Sequence, residues 1–318
     1  QGILSALAEE DDHVAHAQII AQFLNARHFF RHGLRRRVWF AADDREAIAL
    51  ARQYLAYFPL NAWERSPRCE SADTGPRRLD AILDLIDPDP RVAFRMSGVL
   101  KLLVDAGSLL EIQPRYGAAI ITALARLGGH SVAIVANDPG VNAGAVDAAA
   151  ADKAAHFLDV ANAFHLPVVF LTDNPGVMAG TAAEKSGALR HAARMFVAQH
   201  RLQVPKLHVT LRKAFGFGSS IMAMNPFDGQ TLSLAFPAIT LGSMPAASGA
   251  AAAKLDEATR ARIAAEQAGG AFHVADRLAY DDVIDPRELR NALLQGLKLA
   301  EGRRTSAPQP VLQRGIAP

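Results

Sequence analysis

The chain has 318 residues, of which 50% are hydrophobic and 21% are charged, and its formal net charge at pH 7 is +2. This composition is typical of a folded globular protein, and it excludes a long disordered chain. Because so small a charge produces no strong surface field, we expect no nucleic-acid partner. We also expect no membrane span, since the longest apolar run, at 166–171, is only long enough for a strand.

The single cysteine and the N-terminal residues bear on the cellular compartment. Cys69 cannot form an internal disulfide, because the sequence has no second thiol, and this suits a reducing compartment. An acidic run lies at 9–12, where a secretory signal would be basic and then apolar. We therefore expect a cytoplasmic protein, or a protein of the mitochondrial matrix if the source is eukaryotic. The sequence starts at Gln1 without Met, which fits a processed or truncated product.

The first 60 residues predict helices separated by a short strand. Residues 13–30 carry apolar side chains at helical spacing, and the basic patch at 31–37 is interpreted as a solvated helix end. Residues 38–41 are typical of a short strand. Glu46 follows Asp43 by three residues, which is a capping-box pattern, and it predicts a helix that stops before the first proline of the chain.

The next segment mixes proline, aspartate, arginine and serine. This composition predicts that residues 61–90 form a linker or a surface excursion, and it makes them the best candidate for a domain boundary. After it, residues 99–104 favour a helix and residues 109–112 favour an extended strand.

From about Tyr116 the pattern becomes regular, with three repeats of a strand followed by a glycine-bearing loop. The strands are predicted at 131–135, 167–172 and 207–211, the loops at 137–144, 173–180 and 214–220, and the intervening helices at 148–164 and 182–200. Alternation of this kind predicts an α/β protein. Each loop leaves the C-terminal end of a strand, where such sheets usually bind ligands.

The third loop carries the sharpest chemical signal. Gly216, Phe217 and Gly218 are followed by a methionine-containing run at 221–224 that favours the start of a helix. Glycine lets another molecule approach the main chain closely, and backbone N–H groups at a strand-to-helix turn are natural donors to a developing oxyanion. A plain turn remains the alternative interpretation of the same three residues.

Other site chemistries lack support in the sequence. It contains no HExxH or CxxC pattern, no nucleotide-binding glycine pattern and no GxSxG elbow, so we expect no metal site. The histidines on the predicted helices do not converge as a ligand pair; these are His156, His165, His191 and His200. Lys153 and Glu184 lie near predicted helix starts, and a solvated or ion-paired face is the expected role of both.

Several motifs in fixed order resemble one known family. Residues 136–139 with 149–157 resemble its "ANxP…AAxKAARF" stretch, and 164–176 resemble "FxIPLVxLVDxPG". Residues 184–193 are similar to "ExxGIIRHGA" and 204–216 to "VPKxxVxxRKAYG", while 107–116 and 123–129 match in the same order. The family is the carboxyltransferase (beta) subunit of biotin-dependent acyl-CoA carboxylases of the acetyl-, propionyl- and methylcrotonyl-CoA type. The likeness runs from about Trp39 to the region of Ala246.

This resemblance implies a crotonase-like fold, which is a spiral of ββα units. Full-length members carry two such domains, of which the first binds the acyl-CoA and the second binds biotin. By this resemblance residues 1–60 are the tail of a CoA-side domain, 61–90 the linker or excursion, and 91–318 the C-terminal biotin-side domain. The glycine-rich CoA-side segment expected upstream is not present in these 318 residues.

The resemblance also implies where the chemistry takes place. The backbone N–H groups of Phe217 and Gly218 would be the catalytic donors to the ureido oxygen of biotin. Family members have Gly-Gly-Ala here and then a bulky residue, so Phe217 and Ser219 bear on the shape of the acyl pocket. The remaining biotin- or substrate-binding positions are Gly144, Asn174, Pro175, Gly176, Gly216, Ser219 and Ser220.

The implied activity is transfer of CO2 from carboxybiotin to the α carbon of an acyl-CoA. Biotin would be held by a partner, the biotin carboxylase or biotin carrier subunit, and the substrate would be a coenzyme A thioester, with no metal in this chain. A homo-oligomer, hexameric in the family, is expected. Two alternatives remain open: a biotin-dependent acyl-CoA decarboxylase, which shares these motifs, and a non-catalytic scaffold of the same fold that lacks the CoA half.

Overall fold

One mixed sheet organises the part of the chain that the structure describes. The computed structural model describes residues 41–70, 73–246, 249, 254–267, 269–276, 278–303 and 308–311. Over these residues the sheet has eight strands, in the order β1-β2-β3-β4-β5-β6-β8, and β7 pairs with β5. The strands are β1 Leu110–Ile112, β2 Ile120–Leu127, β3 His130–Asn137, β4 Val168–Asn174, β5 Lys206–Phe215, β6 Leu232–Ala235, β7 Thr240–Gly242 and β8 Asp282–Val283.

Ten α-helices accompany the sheet in the described ranges. They are α1 Asp44–Leu55, α2 Ile82–Leu85, α3 Met96–Leu103, α4 Ala148–Ala163, α5 Thr181–Lys185, α6 Ala188–His200, α7 Gly216–Ser220, α8 Glu257–Gln267, α9 Gly270–Ala275 and α10 Leu289–Arg303. Short 3-10 turns lie at Asn142–Gly144 and Pro286–Glu288. No helix that the structure describes has both the length and the apolar character needed to cross a bilayer.

The strand directions place the C-terminal ends of three strands at one edge. β1, β2 and β3 pair antiparallel, whereas β3, β4, β5 and β6 pair parallel. Every residue of β4 is buried, as expected for a parallel strand covered on both faces. The predicted α/β class is confirmed, and the three predicted strands of the repeat correspond to β3, β4 and β5.

A short extended segment follows two of these strands, β3 and β4. After β3 and after β4 the chain forms one parallel bridge, between Val146 and Val177. The end of β5 likewise pairs with β7 rather than with β6. Strand, short extended stretch and helix therefore follow one another, which is the order of a ββα unit.

The two faces of the sheet bury different layers. Along β3, Val132 and Ile134 point into the layer that contains α3 and α10, while Ala133 and Val135 point into the layer that contains α4 and α6. This alternation is expected, because successive side chains of a β-strand point to opposite faces of the sheet. Small side chains such as Ala154 of α4 are fully buried in the second layer, which lets the α4 and α6 helices approach the sheet closely.

Helix α1 confirms the predicted cap. The side chain of Asp43 accepts a hydrogen bond from Glu46 N at 2.8 Å. The Glu46 carboxylate accepts from the N–H of Ala42, one residue before the cap, so the reciprocal half of the capping box is shifted. The predicted helix at 13–30 and basic patch at 31–37 lie outside the described residues, as do all but the last residue of the predicted strand at 38–41; Ala41 is not in a strand.

Two other local predictions were wrong. The helix predicted over 182–200 is two helices, α5 and α6, because Gly187 adopts φ of +73° between them and interrupts the helical path. Lys153 is buried rather than solvated, and its ammonium lies 3.5 Å from the carbonyl oxygen of Gln113. Burial lowers the pKa of Lys153 to about 8, although Glu111 and Asp147 oppose the shift. Glu184 is exposed, as expected.

The segment rich in proline and aspartate packs against the sheet in its second half. Ile82 of α2 is fully buried, and Leu79 and Ile86 belong to the same core cluster. The N–H of Leu79 donates to the carbonyl of Arg287 at 2.9 Å, so this segment contacts the residues before α10. The domain boundaries at 60 and 90 remain predictions. Cys69 is exposed, and its thiol is not in a disulfide.

A buried ion pair attaches α10 to the rest of the domain. Arg290 of α10 contacts Asp105 at 2.6 Å, and both side chains are at most 5% exposed. The Asp105 carboxylate also accepts from the N–H groups of Gly128 and Gly129, at 3.0 and 2.7 Å, in the turn between β2 and β3. The remaining Arg290 donors reach the carbonyls of Leu103, Gly75 and Asp73. One carboxylate and one guanidinium thus connect four segments.

We predict that Asp105→Asn lowers the free energy of unfolding by about 3 kcal/mol, because it leaves a buried guanidinium without its counter-charge. Urea denaturation checks this. Asp80→Asn is the matched control, since the Arg78–Asp80 pair is 47% and 72% exposed, and its loss costs less than about 1 kcal/mol. Equal losses in the two variants would contradict the role given to Asp105.

Candidate functional site

Two loops and a short helix meet at the edge formed by the C-terminal ends of β3, β4 and β5. The first loop (residues 138–147) and the second loop (residues 175–180) are joined by backbone bonds from Val146 N to Gly176 O at 3.1 Å and from Met178 N to Val146 O at 2.9 Å. The third element is the short helix α7, which continues directly from β5. The predicted site residues lie on these three elements, apart from Asn174, which is the last residue of β4.

Asn137 connects the ends of β3 and β4. It is fully buried, and its Oδ1 accepts from the N–H of Asp173 at 3.2 Å and from Asn174 Nδ2 at 3.0 Å. Its Nδ2 donates to the carbonyl of Gly144 in the first loop at 3.4 Å. An amide is suited to this place because it donates and accepts at once, which a carboxylate cannot do.

Asn174 extends the connection to the third element. Its Oδ1 accepts from Gly176 N at 3.0 Å, and its Nδ2 is 3.4 Å from the carbonyl oxygen of Gly218 in α7 as well as bonded to Asn137. The side chain is fully buried. Asn174 therefore holds the second loop and α7 together by side-chain hydrogen bonds, and its predicted contact with a ligand remains a prediction.

Two glycines allow the close approach of these elements. Gly144 has φ of +85°, and a Cβ there would lie 2.2 Å from the carbonyl oxygen of Asp173. A Cβ on Gly218 would lie 2.3 Å from Asn174 Oδ1 and 2.6 Å from the Cα of Gly176. The family pattern has alanine at the position of Gly218. In this chain the second loop and α7 lie closer together than a side chain at residue 218 permits.

The predicted loop at 214–220 has a different structure. Ala214 and Phe215 belong to β5, and residues 216–220 form a helix of five residues. Strand β5 is longer than predicted because its last residues pair with β7. The run 221–224 does not open a helix; it is the turn that follows α7, with Ala223 at φ of +58°.

The backbone donors at the start of α7 are the central feature of the site. The first N–H groups of any α-helix lack an intrahelical acceptor. Within the ranges that the structure describes, no group outside α7 accepts a hydrogen bond from the N–H of Phe217 or of Gly218. Adjacent free N–H groups of this kind can donate hydrogen bonds to a negatively charged oxygen without reorganisation.

Three residues of α7 each have a different contact partner. The ring of Phe217 is half-buried and packs against Phe196 of α6, with 5.6 Å between ring centroids. Ser219 Oγ donates to the carbonyl of Gly216 at 2.7 Å, so this hydroxyl stabilises the helix start. Ser220 is half-buried, and its carbonyl accepts from Gln199 Nε2 at 3.3 Å. Pro175, in the second loop, is also half-buried.

A buried ion pair between Asp173 of β4 and Arg212 of β5 connects two of the strands that carry the site. Asp173 accepts from Arg212 Nε at 2.8 Å, and Lys213 Nζ lies 3.5 Å from its other oxygen. Burial raises the pKa of Asp173, and the two cations oppose that rise. Arg212 also donates to three carbonyls, those of Asp87, Asp89 and Val92, at 2.8–2.9 Å. The segment before α3 is therefore fixed to the same strands as the site.

The structure brings the predicted site residues close together, and three of the residues that hold them there were not predicted. Asn137, Asp173 and Arg212 were not among the predicted site residues. One signal was present, since Asn137 and Asn174 each end a buried hydrophobic strand, but their pairing depends on the β3–β4 register. No cluster of three or more potential metal-ligating side chains occurs among the described residues.

Comparison with known proteins shows the family to which the chain belongs. Residues 26–314 match the carboxyl transferase domain. The propionyl-CoA carboxylase carboxyltransferase subunit of Haloferax mediterranei is 33% identical over 282 residues, which cover 85% of this chain and 54% of the relative. Methylmalonyl-CoA decarboxylase subunit alpha of Veillonella parvula is 35% identical over 276 residues, covering 85% of this chain and 54% of the relative.

A solved structure gives the same result. The transcarboxylase 12S hexamer, determined with methylmalonyl-coenzyme A and methylmalonic acid bound, superposes with a TM-score of 0.79 at 31% identity, covering 88% of this chain and 55% of that one. This likeness confirms the predicted crotonase-like fold. The chain spans about half the length of the curated relatives it matches.

We predict that Gly218→Ala lowers the free energy of unfolding by about 1–3 kcal/mol, because the added methyl group must displace Asn174 or the second loop. Thermal and urea denaturation measure the loss. Gly98→Ala in α3 is the control: its new Cβ would be 3.4 Å from the nearest atom, and alanine favours a helix interior, so no loss is expected. A Gly218→Ala variant as stable as the parent would show that the loops are not in close contact.

Proposed function

We propose that this chain, which belongs to the carboxyl transferase domain family, is the biotin-facing half of a biotin-dependent acyl-CoA carboxyltransferase. The observation that carries the proposal is the pair of unpaired N–H groups on Phe217 and Gly218, held at the strand edge by Asn174. They occupy the positions of the backbone donors in the family pattern. The activity of the whole protein would need a CoA-binding half as well.

The site fits the ureido oxygen of biotin by its chemistry and its shape. Two adjacent N–H groups suit a single oxygen that gains negative charge. The space beside Gly218 is filled by Asn174 and Gly176, so a ligand would approach the amides from the side that these residues leave open. Biotin, when delivered by its carrier, supplies the transferable carboxyl group and afterwards a basic nitrogen.

The chain's own contribution is therefore electrostatic and geometric. Phe217 N–H and Gly218 N–H stabilise the charge on the bound oxygen, and an oxyanion donor contributes on the order of 3 kcal/mol. Asn137 and Asn174 keep these amides oriented before reaction. In this account the biotin nitrogen is the base, so α7 needs none from its own side chains. The Ser219 hydroxyl is hydrogen-bonded to the carbonyl of Gly216, and Phe217 is apolar.

The proposed substrate class is taken from the acyl-CoA substrates in the names of the relatives. Propionyl-CoA carboxylase and methylmalonyl-CoA decarboxylase both act at the α carbon of a short acyl-CoA thioester, and we propose the same class here. We further propose a biotin carboxylase or biotin carrier as partner and a homo-oligomer, hexameric as in transcarboxylase 12S. The proposed compartment is the cytoplasm, or the mitochondrial matrix in a eukaryote.

The second candidate function is acyl-CoA decarboxylation. It is favoured by one observation, the 35% identity to methylmalonyl-CoA decarboxylase subunit alpha. The protein as it occurs in its source, incubated with biotinylated carrier and methylmalonyl-CoA, distinguishes the outcomes. Carboxyl transfer in both directions supports the carboxyltransferase, one-way loss of CO2 supports the decarboxylase, and no transfer supports a scaffold.

We predict that Phe217→Pro lowers carboxyl transfer about a hundredfold, because proline lacks the N–H that the proposal assigns to residue 217. Proline is tolerated in the first turn of a helix, where the N–H has no intrahelical partner. Initial rates of transfer, measured beside the thermal midpoint, give the result.

Phe217→Ala is the matched control, since it loses the same contact with Phe196 but keeps the N–H. It should retain turnover within about threefold of the parent, which corresponds to less than 1 kcal/mol. Equal turnover in the proline and alanine variants would overturn the role of the Phe217 amide.

A further inference from the structure

A chain of buried polar groups connects β5 to the turn that follows α7. His208 of β5 is completely buried, and its Nδ1 lies 2.9 Å from the carbonyl oxygen of Met222. Its Nε2 lies 2.8 Å from Thr210 Oγ1, which is in turn 2.9 Å from the hydroxyl of Tyr280. None of these residues belongs to the predicted site. Positions 208 and 210 are also two that the family pattern "VPKxxVxxRKAYG" leaves open.

The hydrogen positions in this chain follow from the partners. A carbonyl oxygen only accepts, so Nδ1 of His208 carries the proton that is donated to Met222. Burial lowers the pKa of His208 to about 4, so the ring is neutral near pH 7 and its Nε2 accepts from the Thr210 hydroxyl. Thr210 then accepts from Tyr280, whose pKa is raised by burial. Every donor in the chain has one acceptor.

The end of this chain lies in the turn that secures α7. Ile221 N donates to the carbonyl of Phe217 and Met222 N to that of Ser219, both at 3.1 Å. The carbonyl of Met222 points the other way, to His208. A displacement of Met222 would therefore move the C-terminal end of α7 and, with it, the two amides one turn earlier.

Helix α7 needs such support because it is only five residues long. Helices this short are not stable by themselves. At its central residue the contact from Asn174 to the carbonyl of Gly218 is long, at 3.4 Å, and at its C-terminal end Gln199 donates to the carbonyl of Ser220 at 3.3 Å. The bond from His208 to Met222 is shorter than both, at 2.9 Å, and it originates in the rigid central strand β5.

We propose that His208 is a positioning residue for carboxyl transfer, which holds the Met222 carbonyl through its Nδ1–H and thereby fixes the Phe217 and Gly218 amides. The proposal rests on the proposed function of α7. A role for His208 in stability alone is the competing account. The two differ in which of the two ring nitrogens matters for turnover.

Two substitutions separate the ring nitrogens. The side-chain amide nitrogen of asparagine can occupy the place of Nδ1, so His208→Asn keeps a donor to Met222 and loses the contact with Thr210. Glutamine reaches the place of Nε2, so His208→Gln keeps an acceptor for Thr210 and loses the donor to Met222. Each variant retains one of the two hydrogen bonds, and we expect similar falls in thermal midpoint.

Turnover should differ between them. We expect His208→Asn to retain carboxyl transfer within about threefold, and His208→Gln to lose roughly tenfold to a hundredfold in kcat, with little change in KM for the acyl-CoA, since small misplacement of catalytic groups has effects of this size. The assay uses the full protein with its biotinylated carrier. Equal turnover in the two variants, whether high or low, would overturn the positioning role.

A spectroscopic measurement covers the case in which one variant does not fold. In the parent protein labelled with ¹⁵N-histidine, His208 should show a protonated Nδ1 and an unprotonated Nε2 at pH 7. The opposite tautomer would overturn the proposal, because Met222 would then have no donor. Failure of the proposed function itself looks different, as the parent and Phe217→Ala would then transfer no carboxyl group.

Discussion

The hydrogen bond between the side chains of Asn137 and Asn174 is the interaction on which the site depends. It joins the ends of two parallel strands at 3.0 Å in a fully buried position, where an unpaired amide would be costly. From it, further bonds reach Gly144 in the first loop, Gly176 in the second and Gly218 in α7. Two loops that differ in sequence and helix α7 are thereby held in one arrangement.

The site combines two kinds of polar structure with different tasks. Below the edge, Asp173 and Arg212 form a buried ion pair that fixes β4 to β5 and to the segment before α3. At the edge itself the candidate groups are backbone amides, which do not titrate. The proposed donors themselves therefore carry no charge that changes with pH.

Much of this fold could be predicted from the sequence, because strands β3 to β5 and helix α4 follow hydrophobic period and glycine-bearing turns. The length of β5 and the burial of Lys153 could not, since each results from contacts with distant segments. The break at Gly187 was also not predicted, and it results from the local φ of +73° at that residue. The candidate donors were found through the ordered motifs. Asn174 was predicted only as a ligand contact and Asn137 was not predicted, because a hydrogen bond between residues 137 and 174 is set by strand register, which local patterns do not encode.

The central claim, that the amides of Phe217 and Gly218 bind the ureido oxygen of biotin, can be measured directly by NMR. With ¹⁵N-labelled phenylalanine and glycine, addition of biotin should shift both amide protons downfield. Addition of 2-iminobiotin, in which nitrogen replaces the ureido oxygen, should leave them unchanged. Shifts of the same size with both compounds, or no shift of these two amides with biotin, would contradict the account.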